Sequence, residues 1–260
     1  VYVFDGGNDA TDDPETHFDS SRTFDSRSGR LRRGWRRRGA APAPQRFPAE
    51  GFWGGRINNG FDLAGVVPEN GQYWFVYHSQ GVIYGFLQGT ATASNGNFSS
   101  TDGLEFDFVN GRLTAFNVSG SYRERVSLQG TATPAAGGSP SNFALTYDAS
   151  YDTPATAAAV SGRWRGWADS ATTYTIDVAA NGAFTGTTSA GCTFGGSIVP
   201  RPSGKAVYDL FTRFNGAPCG LGTQTVSGIL VVEGSGPSQI FFAAALNPAR
   251  NAGFAVIGGR

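Results

Sequence analysis

Few side chains in this chain of 260 residues could do acid–base, nucleophilic or metal chemistry: it holds 2 His, 2 Cys and 20 acidic groups. His17 lies in an acidic stretch near the start, and His78 follows the run Tyr73-Trp74-Phe75-Val76-Tyr77. A Ser–His–Asp triad would have to use one of these two, and no Gly-x-Ser-x-Gly elbow accompanies either. His78 therefore reads as a solvated strand-end residue. Glu105 and Asp107 alternate with Phe106 and Phe108, so both carboxylates point to one face of a strand. Such a pair could serve glycoside hydrolysis or hold a cation. Alternating acids are more commonly the solvated face of a strand, and that is the expectation. No catalytic residue, metal ligand or cofactor is expected.

Cys192 and Cys219 are the only cysteines. They read as a disulfide, which places the protein in an oxidising compartment. Two buried thiols or half of a metal site are the alternatives. Without Cys-x-x-Cys spacing or a nearby His, the metal reading has little to stand on.

Aromatic side chains supply the strongest hint of binding. Trp53, Tyr73, Trp74, Tyr77, Tyr84, Trp164 and Trp167 offer amphipathic surfaces suited to sugars, ring systems or proteins. Of these, Trp53, Tyr73, Trp74, Tyr77, Trp164 and Trp167 are the candidate binding residues. Core packing is the competing reading for each. Alternation puts Tyr73, Phe75 and Tyr77 on one face of a strand and Trp74 and Val76 on the other.

The elements that must position these residues are strands. From Gly51 onward, short alternating segments rich in Val, Ile, Thr, Phe and Tyr are broken by Gly, Pro and Asn-Gly pairs. No ten-residue stretch keeps a helical period. Asn-Gly at 70–71, 95–96, 110–111 and 181–182 supplies the positive φ angles of type I′ hairpins. About eight strands fit into each half of the body by strand length and turn spacing. The fold class is all-β: two tandem antiparallel meander β-barrels over residues 51–157 and 158–260, with a two-sheet sandwich as the alternative.

The halves repeat at an offset of 111. Trp53 matches Trp164, Asn70-Gly71 matches Asn181-Gly182, and Gly85 matches Gly196. The hexapeptide Leu-Gln-Gly-Thr-Ala-Thr occurs at 87–92 and 128–133, which suggests facing strands of one sheet.

The Trp of the opening strand and the hairpin meander resemble the calycin group of barrels, the lipocalins and avidins. The body is also similar to a bacterial surface and outer-membrane lipoprotein family with tandem β-domains. That similarity rests on Gly51-Phe-Trp-Gly54, Tyr73-Trp-Phe-Val-Tyr77, Phe98-Ser-Ser-Thr101, Gly191-Cys-Thr-Phe194, Ile198-Val-Pro-Arg-Pro-Ser-Gly204 and Ala244-Ala-Leu-Asn-Pro-Ala-Arg250. It implies export to an extracellular, periplasmic or outer-membrane location and carries no activity with it.

Residues 1–50 differ in kind. They hold 17 of the 40 charges, nine of them Arg, ahead of the linker Ala40-Ala-Pro-Ala-Pro44. Composition predicts a disordered leader. A further reading is that residues 1–48 come from a shifted reading frame of a GC-rich gene. Read one base over, Leu31–Arg38 gives a lipoprotein cysteine and a glycine tether, so a lipid anchor in the native precursor is expected. The balance of 20 basic and 20 acidic residues gives no reason to bind nucleic acid. No apolar run reaches the roughly 18 residues of a membrane helix. The expected function is a non-catalytic, secreted or surface-anchored binding protein for a small molecule, glycan or protein. A self-associating structural subunit of a filament or sheath, and a carbohydrate-active enzyme, are the alternatives.

Overall fold

The computed structural model describes residues 4–5, 46–80, 82–167, 171–234 and 236–260. The first strand, β1 (Phe4–Asp5), precedes two closed antiparallel barrels of eight strands each. The first barrel comprises β2 (Gly51–Ile57), β3 (Asp62–Val67), β4 (Gln72–Ser79), β5 (Val82–Thr90), β6 (Thr92–Ser94), β7 (Asn97–Asp107), β8 (Arg112–Arg123), β9 (Ser127–Pro134) and β10 (Ser141–Asp148). Here β5 and β6 are one strand broken at Ala91, since both pair with β7. A 3-10 turn (Ala149–Asp152) and the one-turn helix α1 (Ala157–Val160) lead into the second barrel. Its strands are β11 (Gly162–Trp167), β12 (Thr173–Val178), β13 (Ala183–Thr188), β14 (Thr193–Pro200), β15 (Val207–Phe214), β16 (Thr225–Glu233), β17 (Ile240–Leu246) and β18 (Ala252–Gly259).

Both barrels are meanders in which each strand pairs with its sequence neighbours. The first closes over a long β2–β10 seam, from Ile57 opposite Phe143 to Phe52 opposite Asp148. The second closes where β11 meets β18, at Arg165 opposite Gly259 and Gly166 opposite Gly258. Closure removes the free sheet edges that an open eight-strand meander would expose. Tight curvature needs close backbone contact on the inner face. A Cβ on Gly196 would collide with the carbonyl oxygen of Phe211, and one on Gly228 with that of Ala244.

Turn chemistry follows the sequence in detail. At Asn95-Gly96 both residues have positive φ, 51° and 79°, and the two-residue turn joins β6 to β7. At 70–71 and 181–182 only the glycine is left-handed. There the asparagine side chain accepts from the N–H two residues on, Gln72 at 3.2 Å and Ala183 at 3.1 Å.

The repeat is real for three strands of each barrel. Trp53 stands opposite Gly65 as Trp164 stands opposite Ile176, and Val66 faces Trp74 as Asp177 faces Thr185. It fails at the next hairpin, where Tyr73 faces Gly89 but Phe184 faces Gly196. Gly85 and Gly196 are therefore not equivalent positions. The repeated hexapeptide lies in β5–β6 and β9, which are not neighbours. Each copy instead sets a Leu and a Gly facing inward, with the glycine under an aromatic ring, Tyr73 over Gly89 and Phe143 over Gly130.

Three apolar clusters result: one inside each barrel and a third between them. The third sets Phe52, Trp74 and Phe86 of the first barrel against Val207, Ile229 and Leu246 of the second. This explains why Tyr73–Tyr77 is apolar on both faces. One face is barrel core and the other meets the second barrel. Two arginines reach across from the second barrel. Arg250 donates to Gln88 Oε1 at 2.7 Å, Gln88 O at 3.1 Å and Asp102 O at 2.8 Å, and its Nη1 lies 3.2 Å from Asp102 Oδ2. Arg201 pairs with Glu69 at 3.1 Å and with Asp209 of its own barrel at 3.3 Å. Burial works against the Asp102 charge, but hydrogen bonds from Thr90 and Ser100 and the Arg250 cation outweigh it and hold the carboxyl below its usual range.

The leader expected over residues 1–50 requires correction at its ends. Residues 46–50 pack onto the first barrel: Ala49 is fully buried, Glu50 takes a 2.7 Å bond from Arg46, and Trp53 Nε1 donates to Ala49 O. Composition misses this because only Phe47 and Ala49 pack onto the apolar cluster, too few residues to set up an apolar period. Phe4–Asp5 pairs with Gly253 and Ala252 of β18. The arginine run and the reading-frame expectation lie outside the described residues. Among the described residues no helix is long and apolar enough to cross a membrane.

Candidate functional site

The interior of the second barrel holds a cavity of about 340 Å³. Strand alternation builds it. In β15, Tyr208, Leu210, Thr212 and Phe214 turn inward and are buried, while Asp209, Phe211 and Arg213 face out. Other strands add Phe184, Phe194 and Phe254 to the wall and Trp164 to its closed end. The volume falls at the lower end of small-molecule pockets, roughly 300–1,000 Å³.

One end of the cavity is sealed. Trp164 forms the floor, and its Nε1 donates to Val160 O of α1 at 2.7 Å. Arg260 lies over the outer face of the indole, 4.3 Å from a ring centroid, and donates to Ser161 O at 2.6 Å and Ala159 O at 2.8 Å. These bonds occupy the guanidinium below the floor, and it contributes nothing to the wall. The other end is framed by the β13–β14 and β15–β16 connections, which contribute Ala190, Pro218 and Gly220. The Cys192–Cys219 disulfide ties these two connections together.

The cavity is almost devoid of polar function. Among the described residues no Lys, Arg, His, Asp or Glu lines it. Tyr174 OH donates to Ile257 O at 2.6 Å, and burial pushes its pKa up, so it stays a neutral, occupied donor. Thr172 and Thr188 stand at the rim beside the exposed Ala190. Thr212 is different. It is 1% exposed, and its hydroxyl has no hydrogen-bond partner among the described residues.

The first barrel is fuller, with a cavity of about 110 Å³. Tyr73, Phe75, Tyr77, Phe98 and Phe116 occupy its interior. Tyr73 OH lies 3.1 Å from Ser100 Oγ, and burial pushes the phenol up to about 12. The Glu105 side chain also lines this interior rather than the solvated face expected of it. Burial raises its pKa, partly opposed by the hydrogen bond it accepts from Tyr77. Asp107 shares the strand face but sits at its end. There it caps the β7–β8 turn through Val109 N at 2.9 Å and Asn110 N at 3.1 Å. The two carboxylates therefore form no working pair. Among the described residues no group of three or more His, Cys, Asp and Glu could hold a metal.

The six aromatic candidates do not converge. Trp53 is sealed in the base of the first barrel, and Tyr73 and Tyr77 line its interior. Trp74 lies between the barrels beside a groove shared with Arg201 and Asp209. Trp164 floors the large cavity, and Trp167 stands on the outside, 65% exposed. Sequence reasoning missed Thr212. Its signal was a small hydroxyl side chain at an inward position of the alternating run Val207–Phe214, where the other inward hydroxyl, that of Tyr208, is bonded to Thr156 O.

No protein-family model matches the chain, and the comparison with curated proteins returns no match. Among solved structures, the chain is similar to a tryptophan-to-alanine mutant of the vaccine antigen transferrin binding protein B from Haemophilus parasuis. The identity is 8%, the TM-score is 0.26, and the match covers 77% of this chain and 65% of the other.

Proposed function

We propose that the protein is a non-catalytic binding protein that holds a small, largely apolar molecule inside its second barrel. The observation that carries this reading is the cavity itself. It is about 340 Å³ in volume, walled by aromatic and aliphatic side chains, and floored by Trp164. An apolar void of this size is costly to leave empty, because its lining atoms lack contacts on one side. The protein works outside the cytoplasm, where the disulfide at the cavity mouth forms and persists.

Pyrene tests the reading, because it is apolar and its emission reports its surroundings. Saturable one-to-one binding is expected, with quenching of Trp164. Ala243→Leu, which places a larger side chain in the wall of the cavity, should abolish binding while far-UV circular dichroism stays unchanged. Leu63→Phe, inside the first barrel, should leave binding intact. Absence of saturable binding, or binding that Ala243→Leu leaves untouched, would refute the proposal.

A further inference from the structure

We propose that the first barrel holds a second binding site, separate from the cavity of the second barrel. The interior around Glu105 takes the ammonium group of a small primary amine, with the carboxylate as its counter-ion.

The argument begins with the place of the carboxyl. Glu105 is half-buried and lines the cavity of about 110 Å³. Its position on β7 turns it inward. Gly103, two residues before it, lies against the Phe116 ring and the Tyr73 hydroxyl, and Leu87, opposite it on β5, packs into the same interior cluster. Among the described residues no Lys, Arg or His lines this cavity, and none forms an ion pair with Glu105. The hydrogen bond from Tyr77 meets one of the roughly four lone-pair sites of an ionised carboxylate. Burial raises the pKa, so the charge is costly as it stands. Asp107 on the same strand adds to that cost, and Arg112 on β8 offsets part of it. The residues directly opposite, Leu87 and Thr114, carry no charge.

Volume and wall narrow the class. A cavity of about 110 Å³ equals roughly four water molecules at about 30 Å³ each, room for an ammonium and the first carbons of its chain. Tyr73, Phe75, Tyr77, Phe98 and Phe116 line it. Aromatic rings attract a cation within about 6 Å and give an anion no such gain. Three N–H donors can fill the free lone pairs of the carboxylate, which a quaternary ammonium cannot do. An alcohol of the same size leaves the charge unneutralised, and a second carboxylate repels it.

The test is ligand-observed NMR titration with n-butylammonium, butan-1-ol and butyrate at pH 8, on wild type, Glu105→Gln and Leu63→Phe. Wild type should bind butylammonium saturably, at least about 10-fold tighter than butan-1-ol, and should not bind butyrate. Glu105→Gln keeps the shape and should weaken butylammonium about 10-fold or more. Leu63→Phe, which fills this cavity, should abolish amine binding. Protonation of Glu105 removes the counter-ion, so the wild-type affinity should fall as pH drops to 4. The raised pKa places that loss above the value of about 4.3 for a free glutamate, and Glu105→Gln should not show it. Equal affinity for amine and alcohol, an amine affinity that Glu105→Gln leaves unchanged, or no saturable amine binding would overturn the inference. Pyrene binding by the second barrel should be the same in Glu105→Gln as in wild type, and a shifted pyrene affinity would count against two separate sites.

Discussion

Removing the disulfide should cost the second barrel a large part of its stability. Cys192 and Cys219 are 27 residues apart in sequence, and both are buried. Cross-linking a loop of that length removes entropy from the unfolded chain worth about 3.6 kcal/mol at 25 °C in the chain-entropy model. The native barrel also gains, because the bond holds the two connections that frame the cavity mouth. The perturbation is the double variant Cys192→Ala/Cys219→Ala, with reduced wild-type protein as a second route to the same state. The assay is urea unfolding followed by Trp fluorescence and circular dichroism. For a slope of about 1.5–2 kcal/mol/M, the midpoint of the transition that includes Trp164 should fall by about 2 M. Each single variant should be as destabilised as the double one, since either breaks the same link. A loss below about 1 kcal/mol in both the double variant and reduced wild type would refute the reasoning. It would mean that the unfolded chain is already compact across this loop, or that barrel closure alone holds the mouth.

Two further outcomes follow from polar groups elsewhere in the chain. Burial raises the folded-state pKa of Glu105, so its contribution to stability is full below the unfolded carboxyl value and is lost as pH rises through the folded one. Glu105→Gln should therefore melt higher than wild type at pH 7, and the advantage should vanish near pH 3–4, about the unfolded value or below; an equal advantage at both pH values would contradict this. Arg250→Ala leaves Oε1 of Gln88, a residue only 4% exposed, without its partner and removes the arginine's bonds to Asp102. Because the Asp102 ion pair is part-exposed, the loss should be about 2 kcal/mol, most of it from the stranded amide. Differential scanning calorimetry should show the single transition broadening or splitting as the barrels uncouple, and an unchanged thermogram would count against the bridge.

Much of the architecture was legible because it is local. Alternation in Val207–Phe214 and Asn97–Asp107 gives strands. Asn95-Gly96 gives a tight hairpin, and the recurrence of Trp53 as Trp164 marks the start of each barrel. The cysteine pair was legible as well, since both members fall in one half beside turn residues. The resemblance motifs ending in Arg201-Pro-Ser-Gly204 and Arg250 contained the two arginines that reach the first barrel. Nothing in their local sequence says what they meet, because Glu69, Gln88 and Asp102 are more than 100 residues away. The six aromatic candidates scattered for a similar reason. A large ring satisfies a core, an interface or a ligand equally well, and neighbouring residues do not distinguish these.

By itself, the sequence determined the type of structure: strands in place of helices, their meander order and the turn positions. These depend on backbone propensity and on the two-residue period of a strand, which neighbouring residues specify. Only the tertiary structure decided where space remains. The first barrel closes on Tyr73, Tyr77 and their neighbours and leaves about 110 Å³, whereas the second leaves about 340 Å³. Free volume is a difference between a barrel's radius and the summed bulk of side chains arriving from eight strands. The same summation placed Glu105 in an interior and left the Thr212 hydroxyl without a partner among the described residues, because a hydrogen bond depends on which atoms from distant strands come within about 3 Å.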